Sequence, residues 1–193
     1  MLHSPRCSLT RRMVLCGALL LSACAAPGAG LPLLPEVTPA AYALGAGDQL
    51  RVTVFNDPRL TGEFRITDTG TVALPLLGAI PAAGRTTTQF ERSVEQLLRE
   101  RNLFNEPSVA VEITQYRPVF VLGMVERGGQ TPYQPGMSVL SAVAVVGGFN
   151  YRAVTDVVSV TRADPGGVPR EYLGTRRSLL QPGDVVTVFE RRF

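Results

Sequence analysis

The 193-residue chain contains no tryptophan, no lysine and a single histidine, His3; its cysteines are Cys7, Cys16 and Cys24. Each scarcity excludes a class of chemistry. His3, Cys7 and Cys16 lie ahead of Cys24, in a stretch that reads as removable. Without them, no Ser-His-Asp relay and no cysteine nucleophile can be built. Without lysine there is no Schiff base. One remaining thiol makes no intrachain disulfide, and zinc would lack its usual nitrogen and sulfur ligands. No cofactor and no metal is expected. Paired-carboxylate glycoside hydrolysis is the one common mechanism this inventory leaves open. Its candidates are Asp57, Glu63, Asp68 and Glu126, and no spacing singles out a pair. Long apolar runs are also missing: Met13 to Ala23 is too short for a bilayer span, which needs about 20 residues.

The start of the chain carries Arg6, Arg11 and Arg12, and no acid precedes Glu36. A basic start, an apolar stretch and small residues before a break form the pattern of a secretory signal. Leu21-Ser22-Ala23-Cys24 resembles a bacterial lipobox. That resemblance implies cleavage between Ala23 and Cys24 and acylation of the Cys24 thiol. Each buried acyl methylene contributes about 0.8 kcal/mol, and several chains make a lasting anchor. Ala25, rather than aspartate, follows the cysteine; by resemblance to known lipoprotein sorting this points to the outer membrane, with the body in the periplasm. Thr10-Arg11-Arg12-Met13-Val14-Leu15 is also similar to a twin-arginine signal.

Removal of residues 1–23 takes three of the 19 basic residues and none of the 16 acids, so the two signs become equal. The basic isoelectric point therefore belongs to the precursor. Nucleic acid is held by a basic surface, and no such excess remains; nucleic acid is not an expected partner.

Residues 24–41 are rich in Ala, Pro and Gly and read as a semi-extended tether. From Tyr42 the pattern becomes structured. Gly45-Ala46-Gly47-Asp48 is a turn, and Leu50, Val52 and Val54 alternate with Arg51, Thr53 and Phe55, the period of a strand. Phe64 and Ile66 mark a second strand that turns through Asp68-Thr69-Gly70 into Thr71–Leu74, and the two read as a hairpin. Thr88 and Glu91 match a capping box, opening a helix with Phe90, Val94, Leu97 and Leu98 at helical spacing and running to about Arg101. Glu95 and Arg99 form an i,i+4 pair on its wet face. Ser108 to Tyr116 alternates again.

Arg117-Pro118 is the boundary between a small α+β unit, 42–116, and a second, 117–193. The second contains a strand over Val119–Val125, turns at Arg127-Gly128-Gly129 and Tyr133-Gln134-Pro135-Gly136, and a helix over Val139–Val146 capped by Ser138 and stopped by Gly147-Gly148. That helix is apolar almost all round and is expected to be buried. Strands follow at Val157–Thr161, Glu171–Leu173 and Val185–Phe189. One short helix across several short strands is a β-grasp-like arrangement. The two units share an echo: Gly47-Asp48 before Leu50, and Gly183-Asp184 before Val186. In each, glycine permits the turn and the aspartate can accept a nearby backbone N–H, a structural role.

Several of these stretches resemble the polysaccharide export domain: Tyr42 to Val52, Gly62-Glu63-Phe64, Thr69-Gly70-Thr71, Leu74-Pro75-Leu76-Leu77-Gly78, the Thr88 helix and Asn105-Glu106-Pro107-Ser108-Val109. Ala46 stands where many members have proline. The second unit is similar to a soluble-ligand-binding β-grasp (SLBB) domain through Val121-Leu122-Gly123, Tyr133, Pro135-Gly136, Val139-Leu140, Ala142, Gly147-Gly148-Phe149 and Gln181-Pro182-Gly183-Asp184. Met124 and Gly128 depart from its usual glutamate and proline. The order lipobox, export domain, SLBB domain resembles outer-membrane polysaccharide export proteins of the Wza-like (OPX) type. The resemblance implies a lipid-anchored, non-enzymatic ring oligomer around a passage for capsular polysaccharide or exopolysaccharide, working with an inner-membrane polysaccharide co-polymerase. Spare Thr, Gln, Tyr and Arg side chains would line the passage. Larger members end in an amphipathic helix that crosses the outer membrane. None is seen after Phe189, so a separate outer-membrane barrel is an expected partner. Two alternatives from other classes are a structural or glycan-binding envelope lipoprotein and a carboxylate-based glycan-active enzyme. Arg176-Arg177 and Arg191-Arg192 read as solvated surface arginines, with an acidic polymer as the other reading.

Overall fold

The structure, a computed structural model, describes residues 26–36, 42–164 and 167–191. Cys24, Ala23 and the rest of the expected signal segment lie outside the described residues, as does Arg192. The fold is α+β.

Alternation in Gln49–Val54 puts Leu50, Val52 and Val54 inside and Arg51 and Thr53 outside, which makes this segment strand β1. It is the centre of a three-stranded antiparallel sheet, between β2 (Gly62–Arg65) and β5 (Val109–Gln115). Strands β3 (Thr71–Leu74) and β4 (Gly78–Pro81) form their own hairpin. The expected hairpin between the Phe64 strand and Thr71–Leu74 is therefore corrected: β2 pairs with β1, and β3 with β4. Between them Thr67, Thr69 and Thr71 share a hydroxyl cluster at 2.8–3.1 Å. The turn forms, but the chain leaves it in a different sheet.

Helix α1 (Thr87–Glu100) lays Phe90, Val94 and Leu98 onto this layer. Its cap is Thr86, whose hydroxyl accepts from the Gln89 amide while the Gln89 side chain accepts from the Thr86 amide. The expected box at Thr88 and Glu91 is displaced by two residues, because threonines stand at 86, 87 and 88 and the burial of Phe90 sets the phase. Glu91 and Glu95 instead accept from the amides of Val111 and Val109 at 2.8 and 3.2 Å. Strand β5 has β1 on one side only, so these carboxylates satisfy amides along its open edge. The expected Glu95–Arg99 pair is replaced by this contact.

The second layer is a mixed five-stranded sheet in the order β7-β6-β10-β8-β9. Its strands are β6 (Val119–Gly123), β7 (Gly129–Thr131), β8 (Ala153–Ala163), β9 (Pro169–Thr175) and β10 (Val185–Glu190). Strand β10 runs parallel to β6 and antiparallel to β8. Helix α2 (Val139–Val145) carries a Ser138–Ser141 capping box and buries Val139, Ala142 and Val143. Leu140 and Val145 are 47% and 62% exposed, which corrects the expectation of a helix buried all round. A two-turn helix on one face of a sheet has only one side to cover. The first cluster of buried apolar residues runs from Leu44 to Val111 and the second from Val119 to Val188.

The Ala/Pro/Gly-rich segment is not simply a free tether. The Leu34 amide donates to the Leu173 carbonyl at 2.9 Å, and the Leu173 amide donates to Pro32 at 2.7 Å. Leu33 thereby forms a parallel bridge with Leu173 on the outer edge of β9, and Leu34 packs against the second core. No helix among the described residues is long and apolar enough to cross a membrane.

Candidate functional site

Among the described residues, the buried charged side chains are Asp48, Asp57, Arg162 and Asp184. Burying a charge is costly unless it is paired and hydrogen-bonded, so their partners show what each one does. Asp48 closes the turn before β1. Its carboxylate accepts from the Tyr42 hydroxyl at 2.7 Å, the Gly45 amide at 2.9 Å and the Arg117 amide at 3.0 Å. Asp184 closes the corresponding turn before β10, accepting from the Gln181 amide at 2.8 Å. The bond spans three residues in both turns, and Gly47 and Gly183 take φ of 95° and 87°, a left-handed conformation that glycine adopts without steric cost. The two aspartates differ in their remaining partners. Asp48 reaches the chain that enters β6, whereas Asp184 receives a two-pronged contact from Arg162, with nitrogen–oxygen distances of 3.0 and 2.7 Å.

Arg117 joins the two turns. Its amide is held by Asp48, and its Nε donates to the Pro182 carbonyl at 2.9 Å. Its guanidinium lies 6.0 Å from the centre of the Tyr42 ring. A β-carbon at Gly45 would overlap this guanidinium, so a larger residue there requires the end of the Arg117 side chain to move. Tyr42, Tyr116 and Tyr133 stack edge-to-face, with ring centres 5.2 and 5.4 Å apart. Burial, and then the adjacent Asp48 charge, hold the Tyr42 hydroxyl far above its usual pKa. Burial also raises that of Tyr133. Both phenols stay protonated at neutral pH, and that of Tyr42 donates to Asp48.

The carboxylates considered for glycan chemistry are not brought together. Asp57 is gripped by Arg59 through its amide, Nε and Nη2 at 2.9, 3.1 and 2.8 Å, and the Arg59 hydrogen bonds lower its pKa. Glu63 pairs with Arg51 across β1 and β2. Asp68 lines an open concavity of about 470 Å³ with Arg65 and Thr67. Glu126 stands on the other layer, after β6. Among the described residues no group of three His, Cys, Asp or Glu could hold a metal ion. Arg176 pairs with Asp156 at 3.4 Å, and Arg191 donates to the Ala153 carbonyl.

Sequence reasoning passed over Arg162 and the clasping role of Arg117. Arg162 had a readable signal: it falls in phase with the buried Val158 and Val160, where a charged residue implies a buried partner. Arg117 had none, because its contacts lie 69 and 65 residues away.

These features define an α+β protein with two apolar clusters, whose buried charges hold turns and one clasp. Residues 36–114 match the family of polysaccharide biosynthesis/export proteins. An exopolysaccharide production protein, ExoF, from Rhizobium meliloti (strain 1021) is 35% identical over 151 residues, covering 72% of this chain and 35% of its own length. The capsule polysaccharide export outer membrane protein CtrA from Neisseria meningitidis (serogroup A, strain Z2491) is 32% identical over 136 residues, covering 64% of this chain and 33% of its own length. The chain spans about a third of the length of these curated relatives.

Proposed function

We propose that this chain is a lipid-anchored, non-enzymatic component of the envelope machinery that exports capsular polysaccharide or exopolysaccharide across the periplasm and outer membrane. The observation that carries this reading is the family match over 36–114, joined to relatives whose names state exopolysaccharide production and capsule export. Residues 42–116 form the export module and 117–193 an SLBB-like module. Copies gather into a ring with a wet passage, since a hydrophilic polymer cannot cross hydrocarbon. Cys24 carries the lipid, and an inner-membrane co-polymerase hands over the polymer. Transport needs weak, repeated polar contacts rather than a reactive group. The sequence inventory and the placement of the carboxylates on different elements suit that task.

Deletion of the gene tests the reading. The expected result is loss of surface polysaccharide while synthesis inside the cell continues, restored by the wild-type chain and not by Cys24→Ser. Unchanged surface polysaccharide in the deletion strain overturns the export role.

A further inference from the structure

The second sheet has two unlike ends. At one, β6 and β10 begin, and Arg117 and Pro182 clasp the first layer against it. Because β8 runs antiparallel to both β9 and β10, the start of β8 meets the ends of β9 and β10 at the opposite end. That far end carries Tyr151, 85% exposed, together with Arg152, Arg176, Arg177 and Arg191. Arg152 pairs with Glu190 at 2.6 Å and Arg176 with Asp156. Among the described residues, Arg177 and Arg191 form no ion pair, so two exposed guanidinium groups remain uncompensated at the same end of the sheet as the exposed Tyr151. Exposed arginines and an exposed aromatic residue on one end of a module suit the interface of an anionic bilayer.

The docked strap brings the amino-terminal side of the chain to this sheet. A β-carbon on Gly28 would meet Leu173 Cδ1 at 2.5 Å and the Phe189 ring at 3.4 Å, so this residue lies tight against the sheet near the end of β10. Cys24 is four residues away, a reach of at most about 14 Å.

We propose that the far end of the second sheet, centred on Tyr151, Arg177 and Arg191, is a surface that rests on anionic phospholipid head groups. This rests on the lipid-anchor reading above and deepens it. The acyl chains fix the distance to the membrane, and the arginines and the strap fix the orientation. The second module faces the lipid, and the first, clasped at the other end, points away from it.

The test uses the mature full chain purified from the envelope, with its acylation checked by mass spectrometry. A fluorophore is placed at Tyr151→Cys or at Arg92→Cys on the exposed face of α1. The protein is reconstituted in vesicles of phosphatidylethanolamine and phosphatidylglycerol containing a head-group quencher. Severalfold stronger quenching at 151 than at 92, lost in the Arg177→Glu/Arg191→Glu variant, is the expected result; equal or reversed quenching overturns the proposal. If the mass shows no acyl group, the anchor reading falls, and the surface is read from vesicle co-sedimentation at low salt. An arginine near an anionic surface is worth about fivefold in binding. Retention on phosphatidylglycerol but not phosphatidylcholine vesicles, lost in the double variant, then upholds the surface; no retention overturns it. Charge-dependent binding of polygalacturonate without preferential quenching at 151 assigns the arginines to an acidic polymer and also overturns the proposal.

Discussion

The backbone amide of Arg117 donates to the Asp48 carboxylate at 3.0 Å, across 69 residues of sequence. One buried side chain thus ends a local turn and holds the first residue of the link to the second layer. Asp48→Ala leaves three donors facing the vacated site: the Tyr42 hydroxyl and the amides of Gly45 and Arg117. A buried donor without an acceptor costs about 1–3 kcal/mol. The expected loss is about 3 kcal/mol or more in urea unfolding, with a smaller loss for Asp48→Asn, which keeps one acceptor oxygen. An Asp48→Ala midpoint equal to wild type would refute the role.

Arg162 and Asp184 form a buried ion pair in the second layer. Removing one partner of such a pair costs about 3–5 kcal/mol, because the other charge stays buried and uncompensated. Arg162→Leu should fall in that range. The double variant Arg162→Leu/Asp184→Asn should recover part of the loss, since the asparagine oxygen can still accept from Gln181. A double-mutant cycle from denaturant curves measures this coupling, and simple additivity of the two changes argues against the pair.

Gly45 separates the stability of each layer from the clasp between them. A side chain here collides with the Arg117 guanidinium while leaving both buried clusters untouched. Gly45→Val should loosen the two layers, raising the radius seen by small-angle scattering and speeding proteolysis near Arg117. The far-ultraviolet circular dichroism should stay unchanged. An unaltered radius and cleavage pattern counts against the clasp.

Asp57 gives a pH prediction. Its folded pKa lies below the ordinary 3.8, chiefly through the Arg59 side-chain hydrogen bonds. A depressed carboxyl stabilises the fold above its unfolded pKa, and that contribution is lost as pH falls through the lower, folded value. Carboxyl NMR should therefore find the Asp57 midpoint below 3.8, moving up in Arg59→Gln. A wild-type midpoint at or above the ordinary value would contradict the grip.

The strap can be tested through Leu34, which packs against the second core and whose amide bonds to Leu173. Leu34→Asp places a charge in an apolar contact, so the strap should detach and expose the edge of β9. Hydrogen exchange at the Leu173 amide should accelerate while that at the Val186 amide, in the middle of the sheet, stays slow. Equal protection of Leu173 in both proteins would mean that the strap contributes nothing there.

Much of the fold was legible because burial imposes a period. Leu50, Val52 and Val54 announce β1 by alternation, and Phe90, Val94 and Leu98 announce α1 by helical spacing. Periodicity gives a strand its faces but not its neighbour, so the hairpin expected of β2 and β3 gives way to pairing of β2 with β1. The cap of α1 falls at Thr86 rather than Thr88 for a related reason: the two are chemically alike, and only the packing of Phe90 distinguishes them.

The sequence by itself determined the inventory. It left no lysine, placed its histidine ahead of Cys24, set the phase of the strands and marked the turns at Gly47-Asp48 and Gly183-Asp184. These follow from side-chain chemistry and local backbone geometry, which act over a few residues. Only the tertiary structure decided that Asp48 holds Arg117 while Asp184 holds Arg162, that Glu91 and Glu95 seal the edge of β5, and that Pro32 to Leu34 dock on β9. Each of these contacts joins residues far apart in the chain, and a buried donor or acceptor takes whichever partner the packing of the layers brings within reach.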